Sequence, residues 1–228
     1  MSLDDPGFAA RRLAARKRLD AIDDAGASDP RRRAWFEQVY ALAGDDPANV
    51  PWADLAPHPL LADWLVTASA PQADARALDV GCGLGDNAAA IAAKGWAVTG
   101  FDLSRIAVVW AKKRFPALDF VAADLFAPPA QWSGAFDLVH ECYTLQALPD
   151  GARTDAMAQI ARFVAPGGLL LVIARARAGA TPVAGPPWPL SAEEMLMFAS
   201  HGLSAETVDR LPDPSDGKSH WRALFRCP

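Results

Sequence analysis

From residue 75 onward the chain repeats one unit, a short apolar run followed by a stretch whose apolar residues fall at helical spacing. The runs occupy residues 77–80, 97–101, 118–121, 136–140 and 169–174, and the helical stretches occupy 87–94, 104–114 and 154–164. Alternation of this kind predicts an α/β chain, with a mostly parallel sheet covered by helices on both faces. It also places a ligand just beyond the carboxyl ends of the runs, where open α/β sheets leave a crevice. After the fifth run the pattern changes. Residues 191–200 have helical spacing, while 203–209 and 220–226 read as two strands joined by a link rich in Pro, Asp and Gly. These two strands predict an antiparallel hairpin at one edge of the sheet.

The region before residue 75 has a different texture. Residues 6–45 read as helix, with apolar positions at Phe8, Leu13, Leu19 and Ile22, then Trp35, Phe36, Val39, Tyr40 and Leu42. Asp29 followed by Pro30 fits an N-cap with proline at the first helical position, so a second helix is expected to open there. Arg11, Arg12, Arg16, Lys17 and Arg18 face Asp20, Asp23 and Asp24 further along, which predicts a solvated helix face. Residues 45–59 form a strap carrying Trp52, and helical spacing resumes over 60–66. The expected organisation is a helical cap over 1–66 and one compact unit over 67–228.

Composition narrows the function classes. Twenty-two basic against 27 acidic side chains leave a net charge of −5, which disfavours nucleic acid as a partner, because phosphate binding needs clustered excess Lys and Arg. Cys82, Cys142 and Cys227 form no CxxC pair, and His58, His201 and His220 show no ligand spacing, so no metal is expected. There is no apolar run of about 18 residues and no signal-peptide pattern, so no membrane partner is expected and the cytoplasm is the expected location.

The chemistry lies at the ends of the first four runs. In LDVGCGLGDN (residues 78–87), a strand enters a glycine loop that turns into a helix, flanked by Asp79 and Asp86. The dinucleotide fingerprint needs glycine where Asp86 stands, which weighs against a nicotinamide or flavin enzyme. Two carboxylates around the loop suit a positively charged ligand. VTGFDLS ends the second run on Asp102, placed to take two ribose hydroxyls or to cap the following helix, although Ser104 can do the latter. VAADLF ends the third on Asp124, with Leu125 and Phe126 beside it. The fourth run leads into His140, Glu141, Cys142, Tyr143, Thr144 and Gln146, with His140 open to two readings, a catalytic base or a buried bonded histidine. Arg175, Arg177 and a stiff Pro-rich lid carrying Trp188 supply the opposite wall.

Together with FDLVHECYTLQALP and the APGG turn at 165–168, these motifs resemble the class I S-adenosylmethionine-dependent methyltransferases over about residues 75–174. The resemblance implies a Rossmann-like methyltransferase fold with a seven-stranded, mostly parallel sheet and an antiparallel last strand. Trp35 to Tyr40, Val50-Pro-Trp52 and Pro57-His-Pro-Leu60 look like the cap of the small-molecule branch that includes thiopurine and tellurite-resistance methyltransferases. The implied cofactor is S-adenosylmethionine, leaving as S-adenosylhomocysteine. Residues implied to hold it are Trp35, Trp52, Asp79, Gly81, Cys82, Gly83, Asp102, Leu103, Asp124, Leu125 and Glu141. Those implied on the acceptor side are His140, Glu141, Tyr143 and Arg175. The expected reaction is in-line methyl transfer to a small nucleophile by a monomer or homodimer. The alternatives are a nicotinamide-dependent oxidoreductase and a non-catalytic S-adenosylmethionine binder.

Overall fold

The computed structural model describes residues 7–19, 29, 31–44, 46–179, 185–214 and 217–228. Seven strands form one sheet: β1 (Arg76–Val80), β2 (Ala97–Asp102), β3 (Asp119–Ala122), β4 (Phe136–Cys142), β5 (Val164–Arg175), β6 (Ser204–Pro212) and β7 (Ser219–Arg226). Their order is β3-β2-β1-β4-β5-β7-β6, with β1 to β5 parallel and β7 antiparallel to both β5 and β6. The expected parallel core and edge hairpin are both present. The strand order reverses between β1 and β4, and that switch point fixes where a crevice opens at the strand ends.

Each sheet face buries its own apolar set, because alternate strand residues point to opposite sides. On one face Leu78, Val80, Val139 and Val172 pack under α6 (Asp150–Phe163) and α7 (Ala192–Leu196). On the other, Ala77, Leu138, Leu171 and Ile173 pack under α3 (Pro59–Thr67), α4 (Asp86–Ala93) and α5 (Arg105–Arg114). Leu60, Leu61 and Leu65 of α3 belong to this second layer, so that helix shares the core of the sheet. The APGG segment is the irregular start of β5 rather than a free turn. Pairing with β4 shifts between Phe136 and Leu138, and Gly168 leaves no room for a Cβ beside the carbonyls of Ala165 and Phe136.

Upstream lie α1 (Phe8–Leu19) and α2 (Arg33–Leu42). The second helix opens at Arg33, not at the expected Asp29. Arg32 adopts the left-handed conformation, with φ 51°, and Asp29 accepts hydrogen bonds from the amides of Arg31 (3.0 Å) and Arg33 (3.2 Å). Ile22, Pro30, Asp45 and the acidic partners Asp20, Asp23 and Asp24 lie outside the described residues.

The basic face of α1 is not simply solvated. Arg11 pairs with Asp46 at 2.8 Å, Arg12 with Asp54, Arg16 with the Pro51 carbonyl at 3.0 Å and Arg18 with Asn49 at 2.7 Å. Those arginines clasp the strap, which the acidic and carbonyl groups of residues 46–54 make receptive. The strap and α2 then bury Tyr40, Ala43, Val50 and Ala53 against Leu84, Ala107 and Trp110 of the sheet unit.

Candidate functional site

The glycine loop sits at the switch point between β1 and β4. Gly81 has φ +63°, and a Cβ there would collide with Thr144 Oγ1, whose hydroxyl donates to the Val80 carbonyl at 3.2 Å. The loop leaving β1 therefore touches the segment leaving β4. Gly83, with φ +52°, faces the cap: its Cβ would lie 3.3 Å from the Tyr40 hydroxyl. A side chain at Gly81 would displace Thr144, and one at Gly83 would crowd Tyr40 and hold a left-handed φ that favours glycine.

Asp102 ends β2 beside this loop. Its Oδ2 accepts from the Gly83 amide at 2.9 Å and its Oδ1 from the Ser104 amide at 2.8 Å. Burial raises its pKa to about 6, with those two amides working in the opposite direction. Each oxygen keeps a second lone pair, so a diol can donate to the same carboxylate. Ser104 Oγ caps α5 by accepting from Ala107, as the sequence allowed, and Leu103 between the two is half-buried. Asp124 lies two residues beyond β3, with one oxygen on the Phe126 amide (2.9 Å) and the other 3.5 Å from Arg33 of the cap. Leu125 is buried beside it.

Three of the residues expected at the site are buried. Asp79 and His140 are register partners on β1 and β4, joined by a 2.7 Å hydrogen bond and at most 1% exposed. His140 is buried and hydrogen-bonded, and Asp79 is the partner that holds it. Glu141 points to the opposite face, fully buried, and accepts from the Leu145 amide at 2.9 Å. Burial raises its pKa to about 7. His140 and Glu141 cannot line one cavity, because adjacent strand residues face opposite sides. Cys82 and Cys142 are thiols whose pKa is pushed up by burial, which fits packing and not nucleophilic work. Asp86 is also occupied: both its oxygens lie 2.6 Å from the Arg114 guanidinium.

The cap contributes a residue that reads in the sequence only as an apolar position. Tyr40 is buried, receives the Trp52 indole N–H at 3.0 Å and stands over Gly83. Trp52 also packs edge-on against its ring, and Trp35 and Phe36 pack in turn on Trp52, with Trp35 and Trp52 centroids 5.9 Å apart. Arg32 lies 3.9 Å from the Trp35 ring and 5.5 Å from that of Trp188, and donates to the Ala147 carbonyl, so cap and lid meet around one guanidinium. Under the lid is a cavity of about 190 Å³ lined in part by Arg153, Arg177 and Trp188. It is not built for an anion, since both arginines pair with Glu194, at 2.5 and 2.8 Å.

The segment just beyond β4 belongs to a cluster that local spacing did not reveal. Tyr143, just beyond β4, has φ 70°, and its hydroxyl lies 2.9 Å from His58 Nε2 and 2.7 Å from His220 Nε2. Asp213 Oδ2 is 3.2 Å from His58 Nε2 and 3.8 Å from His220 Nε2. The Arg175 guanidinium stands 6.0 Å from the Tyr143 ring. His58 and His220, scattered in the sequence, are brought together because one caps α3 and the other opens β7, both at the same end of the sheet.

Comparison with known proteins bears on this crevice. A protein family described as Methyltransferase domain matches residues 77–168, from β1 to the start of β5. Over these residues the chain is similar to methyltransferase domains.

A ubiquinone biosynthesis O-methyltransferase of Aromatoleum aromaticum is 37% identical over 115 residues, 49% of this chain and 48% of that protein. A probable thiol methyltransferase 2 of Arabidopsis thaliana is 31% identical over 155 residues, 63% of this chain and 64% of that one. The chain thus spans about half to two thirds of the length of these relatives. Among solved structures, the 1,6-didemethyltoxoflavin-N1-methyltransferase of Burkholderia thailandensis, bound to 1,6-didemethyltoxoflavin and S-adenosylhomocysteine, superposes with a TM-score of 0.66. It does so at 19% identity, over 86% of this chain and 87% of that one, and so shares the fold of the methyltransferase domain.

Proposed function

We propose that this protein transfers a methyl group from S-adenosylmethionine to a small-molecule acceptor. The observation that carries the reading is the Asp102 carboxylate, buried at the end of β2 and bonded to the Gly83 amide of the glycine loop. The residues present fit the cofactor. Asp102 has lone pairs for a ribose diol, Gly81 and Gly83 leave backbone open to close approach, and Asp124 with Leu125 offers a polar and an apolar edge at the next strand end. When bound, the cofactor supplies a methyl group already activated on a sulfonium sulfur.

The protein's own part is to align and to exclude water. Tyr40 and Trp52 close over the glycine loop, while Arg32 ties the cap to Trp188 of the lid. Cap residues within 1–66 thereby roof the crevice of the unit over 67–228. An acceptor enters between the lid and the segment after β4, where Tyr143, Thr144 and Arg175 stand. The net charge of −5 favours a small molecule over nucleic acid. No helix among the described residues is long and apolar enough to cross a membrane. A cytoplasmic monomer or homodimer completes this reading.

The test is calorimetry with S-adenosylmethionine, followed by tritiated methyl transfer to a panel of small acceptors. Binding with label transfer is expected. Asp102→Ala should weaken cofactor binding by about 1.5–3 kcal/mol, the scale of hydrogen bonds to a charged group. Absence of binding by the native chain, or an unchanged affinity in the variant, would sink the assignment.

A further inference from the structure

We propose that Tyr143, His220, His58 and Asp213 form a directed proton relay that serves an acceptor bearing a hydroxyl group, an alcohol or a phenol; this rests on the methyltransferase reading above.

The direction follows from hydrogen-bond chemistry. The Leu60 amide donates to His58 Nδ1 at 3.2 Å, so in the neutral ring the proton of His58 sits on Nε2. His220 Nδ1 lies 3.0 Å from the Lys218 carbonyl, which only accepts, so that nitrogen carries the proton and Nε2 holds a lone pair. Tyr143 must then donate its O–H to His220 Nε2 and accept from His58 Nε2–H. His58 also faces Asp213 Oδ2 at 3.2 Å.

The same residues invite comparison with a metal site, since the ligand atoms of His58, Asp213 and His220 lie within 4.8 Å of one another. A metal-bound histidine donates its other ring N–H to a neighbouring acceptor. His220 meets that condition at Lys218. His58 does not, because an N–H donor faces its Nδ1. The network is ordered for protons.

Position connects it with the reaction. Tyr143 is only half-buried, whereas His220 and Asp213 are buried and His58 is 9% exposed, so Tyr143 is the member an acceptor can touch. Its neighbour Thr144 packs on Gly81 at the switch point. Charged or titratable groups facing the relay are Arg175, 6.0 Å from the Tyr143 ring and paired in register with His220, and Cys142 at the end of β4. As the acceptor oxygen bonds the methyl carbon, the carbon–sulfur bond breaks and its electron pair stays on sulfur. The acceptor proton passes to the Tyr143 oxygen while the Tyr143 proton passes to His220 Nε2, leaving an imidazolium beside Asp213. Tyr143 is the catalytic residue; His220, His58 and Asp213 are positioning residues acting through it. A carboxylate acceptor has no proton to give up and needs none of this.

Two measurements test the proposal. Long-range proton–nitrogen NMR of the four histidines, assigned with His58→Asn and His220→Asn, should show His220 protonated on Nδ1 and His58 on Nε2. The reverse tautomer at His220 overturns the relay, as does one-to-one Zn²⁺ binding in calorimetry that either variant abolishes. In label transfer, Tyr143→Phe and His220→Asn should lower kcat on hydroxyl acceptors by about 10²–10⁴-fold. They should also remove the acid limb of the pH profile, with at least tenfold less effect on a carboxylate acceptor. Equal losses on both acceptors, with the pH profile unmoved, reduce the cluster to packing. Cofactor binding without transfer to any acceptor by the native chain defeats the methyltransferase reading itself, whatever the tautomers.

Discussion

Two buried carboxylates shape the pH response of this protein. Glu141 has its pKa raised by burial to about 7, and Asp102 to about 6. A raised carboxyl pKa means that the folded state holds a proton which the unfolded chain has already released. The resulting stability is complete below the unfolded pKa and is lost as pH rises through the folded one. For Glu141 the window runs from 4.5 to about 7. Across it the native fold should lose on the order of 3 kcal/mol from this group, because each pH unit separating the folded and unfolded pKa is worth about 1.4 kcal/mol. Glu141→Gln keeps an oxygen for the Leu145 amide and cannot ionise, so its urea midpoint should fall less than the wild type's between pH 5 and pH 8. Parallel midpoints over that range would show that Glu141 is not the group responsible.

At the scale of elements, the cap is where a ligand should be felt first. Trp52 donates to Tyr40, and Tyr40 stands over Gly83, so a ligand entering beside the loop alters the surroundings of one particular indole. Trp52→Phe should remove most of the tryptophan fluorescence change on adding S-adenosylmethionine and weaken binding by about 1 kcal/mol, the net worth of one hydrogen bond. An undiminished signal would mean that the response comes from others of the eight tryptophans. The strands and helices were legible in the sequence because period and strand-end carboxylates are local signals: Asp102 and Asp124 stand where the pattern put them. Contacts across the chain were not legible. The arginines of α1 found their partners some 35 residues away in the strap, and Asp86 was claimed by Arg114 from the end of α5. The relay drew on positions 58, 143, 213 and 220, which only the α3 cap, the end of β4 and the β6–β7 link bring together. Burial of Asp79, His140 and Glu141 was hidden for a related reason, since a strand end read from sequence does not say how deep its side chains lie.

For the molecule as a whole, the crevice proposed for the cofactor lies where the cap, the glycine loop and the helix layer share one packed cluster. Tyr40, Val50 and Ala53 from the cap pack with Leu84 behind the loop and with Ala107 and Trp110 of α5. A ligand that binds there stabilises all three parts in proportion to the logarithm of its free concentration over Kd. At 100 times Kd the gain is about 2.7 kcal/mol. For a chain of 228 residues, at about 2–4 °C per kcal/mol, that amounts to a rise in Tm of roughly 5–11 °C. The prediction is a shift of that size with S-adenosylmethionine and none with NADH, in a single transition seen alike by tryptophan fluorescence and by far-ultraviolet circular dichroism. Asp102→Ala, at the same ligand concentration, should show a clearly smaller shift, because its Kd is higher while the cap packing is untouched. If tryptophan fluorescence instead melts ahead of the sheet, with only the later transition moving on ligand addition, the cap does not close over the site. In that case the small molecule is held by the strand ends alone.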